Sequence, residues 1–339
     1  SLSGLLDANE QTFGVRAIPQ YKFENAQVIV SFNADFLGNW ISPVEFAKGY
    51  IKNRKLDDSQ STMSRHIHLE STMSMTGSNA DKRIPMRPSE EKTAIAQLYA
   101  ELANRLGVSA VTPAATVDID IRSIADELLD HRGKSLVISG SNDTETQVLV
   151  NAINDVLSNY GSTLDITQPV YVRKGNDQAW LDTAKNIISG EYSGVLFYNV
   201  NPLYDYHKAD QLKEALQKLD LSVSFATGWD ETASLTNFVC PDNHYLEAWN
   251  DAHPAKGIYS LAQPAISPIF DTRQFQESLL KWTGAEAAYV DLIKDEWNSS
   301  IYSPASEYLN FTDFWNHALQ DGVYENGEEN ATALNGNFS

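Results

Sequence analysis

Gly194-Val-Leu-Phe-Tyr-Asn199, followed by Asn201-Pro202, opens the stretch that decides the fold, and the stretch runs on to Arg273. An apolar run ends in a turn, and a helical pattern follows. A second apolar run, Leu221-Ser-Val-Ser-Phe225, comes after the helix. Strand, helix, strand is the repeat of a parallel sheet, because parallel neighbours need a long crossover between them. Beyond lie Asp230-Glu-Thr-Ala233, Phe238-Val-Cys-Pro241, His244-Tyr-Leu-Glu-Ala-Trp249 and Gln263-Pro-Ala-Ile-Ser-Pro268.

The same alternation holds upstream. Ala26–Phe32 reads as a buried strand. Ser42-Pro43-Val44-Glu45 predicts a helix start, with Ser42 as cap, Pro43 in the first turn and Glu45 completing a capping box. Arg65–Glu70 is a second strand. A longer helix follows from Ser89, with Ile95, Leu98, Leu102 and Leu106 on one face and Gly107 as its stop. Residues 108–118 read as a connector. Asp120 then caps a helix that turns Ile121, Ile124 and Leu128 inward. Lys134–Ser139 is a strand, and the next helix buries Val148, Ala152, Ile153, Val156 and Leu157. Another helix, near Trp180–Ser189, leads into the opening stretch.

These patterns predict an α/β protein. Two doubly wound, mostly parallel sheet units with helices on both faces are expected at 25–110 and 120–275. A helix within 1–24 packs on the body, and a helical extension at 276–320 is anchored by Trp297 and Trp315. An acidic flexible tail is expected at 321–339.

The 339 residues are 42% hydrophobic with a net charge of −20 and a pI near 4.6. That balance excludes nucleic acid as a partner, since phosphate binding needs a basic surface. It serves solubility, or it forms an acidic docking face for a basic partner. No apolar run approaches the roughly 18 residues that span a membrane. A chain starting at Ser1 is expected to be processed or excised. Its single cysteine, Cys240, cannot close an intrachain disulfide, hold an iron–sulfur cluster or build a cysteine-rich zinc site. In its apolar run, Cys240 is expected to be a small buried side chain.

Ligands of open α/β sheets bind at the carboxyl ends of strands, beside helix N-termini. Three loops hold that position: Asn33-Ala-Asp35, Gly140-Ser-Asn-Asp143 and Asn199-Val-Asn-Pro202. Ordinary turn chemistry also accounts for them. None is a dinucleotide fingerprint or a phosphate loop, and Ser139-Gly-Ser141 lacks the frame of a nucleophile elbow. His66 and His68 share a strand face with Glu70, but too few ligands accompany them to predict a metal. His244, Glu247, Asp251 and His253 could form an acid–base group or a satisfied polar loop. No catalytic residue and no metal ligand is assigned.

The serial order from Gly194 to Arg273 resembles the large subunit of molybdopterin oxidoreductases, the dimethyl-sulfoxide-reductase superfamily. The resemblance covers about residues 1–300. Ala26–Asp35 looks like the family strand that ends in glycine–x–Asn, but here Ser31-Phe-Asn33 lacks the glycine. Asn79-Ala-Asp81, Ile84-Pro85 and Arg87-Pro88 are similar to a segment that helps seat the pterin guanine dinucleotide, with Ser89-Glu90 replacing Gly-Thr. Leu69-Glu-Ser71 stands where the family has Asp-Pro-Arg against guanosine. Asn201-Pro202, Thr232-Ala233, Val239-Cys-Pro241 and His244–Trp249 match the later segments. Carried over, the cofactor-binding positions are Asn33, Arg87, Asn201, Pro202 and Thr232, degenerate and expected to be vacant. Ser1 and Ser3 are the only residues near the place of the family's molybdenum ligand.

Within the superfamily, Phe225–Thr232 and Asn243–Trp249 look most like the cofactor-less half of the iron–sulfur subunit of alternative complex III. The resemblance implies a non-catalytic scaffold with no cofactor in this chain. The molybdopterin guanine dinucleotide is lost and the iron–sulfur clusters lie in missing segments. It further implies a ferredoxin-like iron–sulfur domain of the same polypeptide and other subunits of a membrane complex as partners. The location implied is peripheral, on the extracytoplasmic face of the inner membrane. Two alternatives remain: a piece of an active molybdopterin-dependent oxidoreductase whose cluster and cap domains are missing, and a free-standing nucleotide-type binding module.

Overall fold

A computed structural model describes residues 1–56, 61–109, 113–327 and 336–337. The chain divides into two compact units, Ser1–Gly175 and Asn176–Glu328. The sequence placed the division between 110 and 120. The structure places it later because the strand Ser135–Ser139 joins the first sheet.

The first unit runs α1 (Ser3–Phe13), β1 (Ile18–Tyr21), β2 (Val28–Phe32), α2 (Pro43–Lys52), β3 (Arg65–Glu70), α3 (Met75–Ser78), β4 (Lys82–Pro85), α4 (Glu91–Leu106), α5 (Ile121–Asp130), β5 (Ser135–Ser139), α6 (Thr144–Val156) and β6 (Leu164–Val170). Its sheet is parallel, in the order β4-β3-β2-β5. Val28 pairs with Arg65 on one side and Ser135 on the other. Every residue of β2 and β5 is buried, as expected for strands covered on both faces. Val30, Phe32, Ile67 and Val137 meet α4, α5 and α6 on one side. Ile29, Leu136 and Ile138 meet α1 and α2 on the other. Asp120 caps α5 through Ser123 N–H, as predicted. Ser42 does not cap α2 with its side chain; only its carbonyl accepts, from Phe46 N–H at 3.0 Å.

The outer edge of β5 is paired by side chains. The Asn154 amide donates to Val137 O (2.7 Å) and accepts from Val137 N–H (3.1 Å). Gln147 donates to Ser139 O and Thr163 to Ser135 O. α1 is fixed to α6 by buried amides, with Asn151 donating to Asn9 Oδ1 at 2.9 Å. Gly4 sits so close to the Asn142 carbonyl that a Cβ would lie 2.1 Å from its oxygen. Segment 1–24 also contributes a strand. β1 pairs antiparallel with β6, a pair the sequence did not predict because Pro169 and Asp165 interrupt β6.

The second unit comprises α7 (Asp177–Ser189), β7 (Gly194–Phe197), α8 (Pro202–Asp205), α9 (Ala209–Leu216), β8 (Leu221–Ser224), β9 (Phe238–Val239), β10 (Asn250–Ala255), β11 (Ile258–Ala262), α10 (Phe275–Trp282), α11 (Tyr289–Glu296), α12 (Phe311–Asp321) and β12 (Val323–Glu325). β7-β8-β9 is a parallel sheet, with Phe197 packed on Ala184 and Ile187 of α7 and Leu212 of α9. β10, β11 and β12 pair antiparallel. Trp297 and Trp315 bury themselves in an aromatic cluster with Phe314.

The expected flexible tail at 321–339 begins instead with β12, hydrogen-bonded to β11. Asn337 N–H donates to Thr12 O at 2.8 Å. The tail residues 328–335 and 338–339, and the connector residues 110–112, lie outside the described residues. Cys240 is half-buried rather than buried, because β9 ends at Val239 and leaves it at the sheet margin. Among the described residues no helix is long and apolar enough to cross a membrane.

Candidate functional site

In the first unit the strand ends converge on Glu91, the first residue of α4. Asn33 follows β2 in the left-handed region, φ 47°, which asparagine tolerates. Its Nδ2 donates to Glu91 Oε2 at 2.7 Å, and Ser139 Oγ at the end of β5 donates to Glu91 Oε1 at 2.7 Å. Asn33 Oδ1 accepts from Ser71 N–H. Glycine is required at 140, since a Cβ there would lie 2.4 Å from Asn33 O. Burial raises the pKa of Glu91, against the two hydrogen bonds that lower it. A carboxylate at a helix N-terminus takes the position an anionic ligand favours. At this strand end that position is filled by the chain's own side chain. The Gly140–Asp143 loop is likewise covered: Asn142 Oδ1 accepts from Gly4 N–H at 3.0 Å. Ser3 is buried and donates to Asp7 Oδ2. Arg87 stands apart, exposed, with a 3.9 Å contact to Glu90.

Beneath the strand ends lies a buried polar chain. Tyr50 OH is 3.1 Å from His66 Nδ1, and His66 Nε2 is 2.9 Å from Ser31 Oγ. Ser31 Oγ is 2.5 Å from His68 Nδ1, and His68 Nε2 is 3.0 Å from Glu70 Oε2. Burial, then His68, drives the His66 pKa down to about 3. Burial also lowers His68, although Glu70 opposes it. Burial pushes Glu70 up, but hydrogen bonds from Ser74 and Arg83 outweigh it and hold it below the usual value. With both rings neutral and Glu70 ionised, His68 donates to Glu70, Ser31 to His68 and His66 to Ser31, while the Tyr50 hydroxyl has both His66 Nδ1 and Asn79 O (3.2 Å) within reach. Both imidazoles are thereby engaged at both nitrogens. Among the described residues no group of three or more His, Cys, Asp or Glu could hold a metal ion.

In the second unit the structure brings Asn201, Pro202 and Thr232 together. Pro202 opens α8 after Asn201. Asn201 Oδ1 accepts from Thr232 Oγ1 (2.7 Å) and N–H (3.3 Å), while its Nδ2 donates to Glu231 Oε2 (2.7 Å). Thr232 Oγ1 accepts from Leu203 N–H at 3.2 Å. These bonds lock the loop after β7 to the loop after β8. Beside the lock is an open crevice of about 540 Å³, lined by Asn199, Asn201, Asp205, Gly228, Trp229 and Asp230 among others, with no lysine or arginine. Trp229 is 80% exposed at its mouth.

The remaining candidates do not assemble. Asp251 accepts from Trp297 Nε1, His253 stacks on Tyr259, and Glu247 accepts from His244 N–H. His253 sits on β10 rather than in a loop. Sequence reasoning missed Glu91 and Ser31. Two successive carboxylates at the start of α4 were the only trace of the first, and nothing in the sequence marks the second.

No family model matches the chain. In sequence it is 22% identical over 321 residues to the menaquinone reductase, molybdopterin-binding-like subunit of Nitratidesulfovibrio vulgaris. That match covers 81% of this chain and 46% of that protein, so the chain spans about half the relative's length. Acetylene hydratase from Pelobacter acetylenicus is similar in fold, with a TM-score of 0.68 at 11% identity, over 96% of this chain and 55% of that one. The formyltransferase/hydrolase complex from Methylorubrum extorquens gives 0.51 at 10% identity, over 84% and 83%.

Proposed function

We propose that this chain, a member of the molybdopterin oxidoreductase superfamily, is a non-catalytic scaffold of an electron-transfer subunit. Its place is peripheral, in a quinol-oxidising membrane complex of the alternative complex III kind, on the extracytoplasmic face. There it seats a ferredoxin-like iron–sulfur domain. The similarity to a menaquinone reductase subunit supports the setting.

The observation that carries the loss of chemistry is the Glu91 carboxylate. It accepts one hydrogen bond from Asn33 and one from Ser139, side-chain donors at this strand end. A dinucleotide phosphate placed there would meet a buried negative group, and like charges at that range repel strongly. The crevice at Asn201 also fits a phosphate poorly, because its charged lining residues are Asp205 and Asp230. Neither strand end fits the family's cofactor phosphates, so no chemical step is assigned to this chain.

Metal analysis of the purified protein tests the reading. Molybdenum well below one per chain is expected, and stoichiometric molybdenum or extractable pterin overturns it. Thermal unfolding with millimolar guanine nucleotide should show no stabilisation, since any ligand of the native state must raise its stability.

A second reading draws on length. Because the chain spans about half of its relative, it could be part of an active molybdopterin enzyme whose other segments complete the site. An upstream cysteine cluster in the gene would favour that reading. Downstream ferredoxin-type cysteine runs would favour the scaffold.

A further inference from the structure

Residues 219–273 carry seven carboxylates against one lysine and one arginine, Arg273. Among the exposed apolar side chains of this acidic stretch, five lie on two segments that meet: Tyr245, Leu246, Ile266, Ile269 and Phe270. Three of them are almost fully in solvent, Tyr245 at 74%, Ile269 at 71% and Phe270 at 76% exposure. The two segments that bear them are sewn together by backbone. Ala265 and Ile266 N–H both donate to Leu246 O, at 2.8 and 3.1 Å. Ile269 N–H donates to Glu247 Oε1 at 3.1 Å, and the other oxygen of Glu247 takes the N–H of His244 at 2.9 Å. The His244 ring packs against Tyr245, with centroids 4.3 Å apart.

An ordered backbone therefore holds these side chains outward. Scattered single apolar residues on a surface need no explanation, but a contiguous cluster marks a contact site. Because the loops are already fixed, association need not pay the entropy of ordering them. The charge around the cluster selects the occupant. Glu247 holds its two loops together, and Asp271 directly follows Phe270 and is exposed. A second copy of this chain would oppose the same carboxylates, and an anionic bilayer would repel them too.

We infer that this cluster is a docking surface for a polypeptide partner whose contact face has an apolar centre rimmed by lysine and arginine. The inference does not depend on the cofactor question, so it and the scaffold reading can fail separately. The test is a photo-cross-linking residue, p-benzoylphenylalanine, at position 245 or 270 in cells that make the full-length protein, with position 44 as control. Val44 is 87% exposed in the first unit.

The expected product joins this chain to one different polypeptide, through a segment with more Lys and Arg than Asp and Glu. Its yield should fall about tenfold with Ile269→Asp, the loss expected when a charge enters an apolar contact. Adducts to lipid, to a second copy, to an acid-rich segment or matching those from position 44 overturn the proposal, as does no adduct at all. Ile269→Asp and Phe270→Asp should leave the melting temperature within about 2 °C, as exposed substitutions do. A larger drop would show that these side chains serve the unit's own core, and would equally overturn it.

Discussion

At the carboxyl end of the first unit's sheet, Asn33 and Ser139 hold a carboxylate of their own chain. At the same end of the second unit's sheet, Asn201 and Thr232 hold each other and leave a crevice open beside them. Both ends use an asparagine just after a strand. In one it donates to a buried carboxylate, and in the other it donates to an exposed one, Glu231, and accepts from a hydroxyl across two loops. The first arrangement fills the ligand position, so its hydrogen bonds go into stability. The second leaves space and lines it with carboxylates. A strand-end loop can thus keep its residue types while its hydrogen bonds turn inward.

The largest effect should come from beneath the first strand end. Ser31→Val removes the hydroxyl shared by His66 and His68 and leaves two buried nitrogens unpaired, at a cost of about 4 kcal/mol in urea unfolding. A loss under about 1 kcal/mol would mean that the polar chain contributes little there. Glu91→Ala should cost about 2–3 kcal/mol by stranding Asn33 and Ser139. In that variant, but not in the parent, millimolar sulfate should recover part of the melting temperature, as ligand linkage requires. Equal responses in both proteins would break the comparison.

Acid sharpens it. His66 has a folded pKa of about 3, against roughly 6.5 when unfolded. The folded state binds fewer protons, so this contribution is complete above about pH 6.5 and is lost as pH falls toward 3. Lowering the pH from 6.5 to 5 should remove about 2 kcal/mol. His66→Phe should flatten that slope, read by urea titration at each pH. In the second unit, Asn201→Ala should cost about 1 kcal/mol, since its bonds lie nearer to water. Trp229→Ala should stay within about 0.5 kcal/mol, although a ligand in the crevice would make it matter to binding.

The parallel core was legible in the sequence because Ala26–Phe32, Lys134–Ser139 and Leu221–Phe225 are apolar runs too short for helices, with helical periods between them. Asp120 and Gly107 marked their helix ends through local chemistry. The antiparallel pairs escaped notice. β6 carries Asp165 and Pro169, and β10 carries His253 and Pro254, so neither alternates like a strand. At the candidate site, the His66, His68 and Glu70 face was readable from period-two spacing. The Ser31 between the rings was not, because it comes from the neighbouring strand and register is not written in either segment alone. Asn33 and Glu91 are 58 positions apart in the chain, and only the folded sheet brings them together.

The Asn154 amide beside Val137 has a consequence for assembly. By donating to and accepting from one residue of β5, it does what a neighbouring strand would do. A partner cannot extend this sheet past β5 by adding a strand, because the edge's hydrogen bonds are already taken. Asn154 and Gln147 are both on α6, so local unfolding of that helix would uncover most of a parallel edge whose centre is Leu136, Val137 and Ile138. The propensity of this chain to aggregate should therefore follow the stability of one helix.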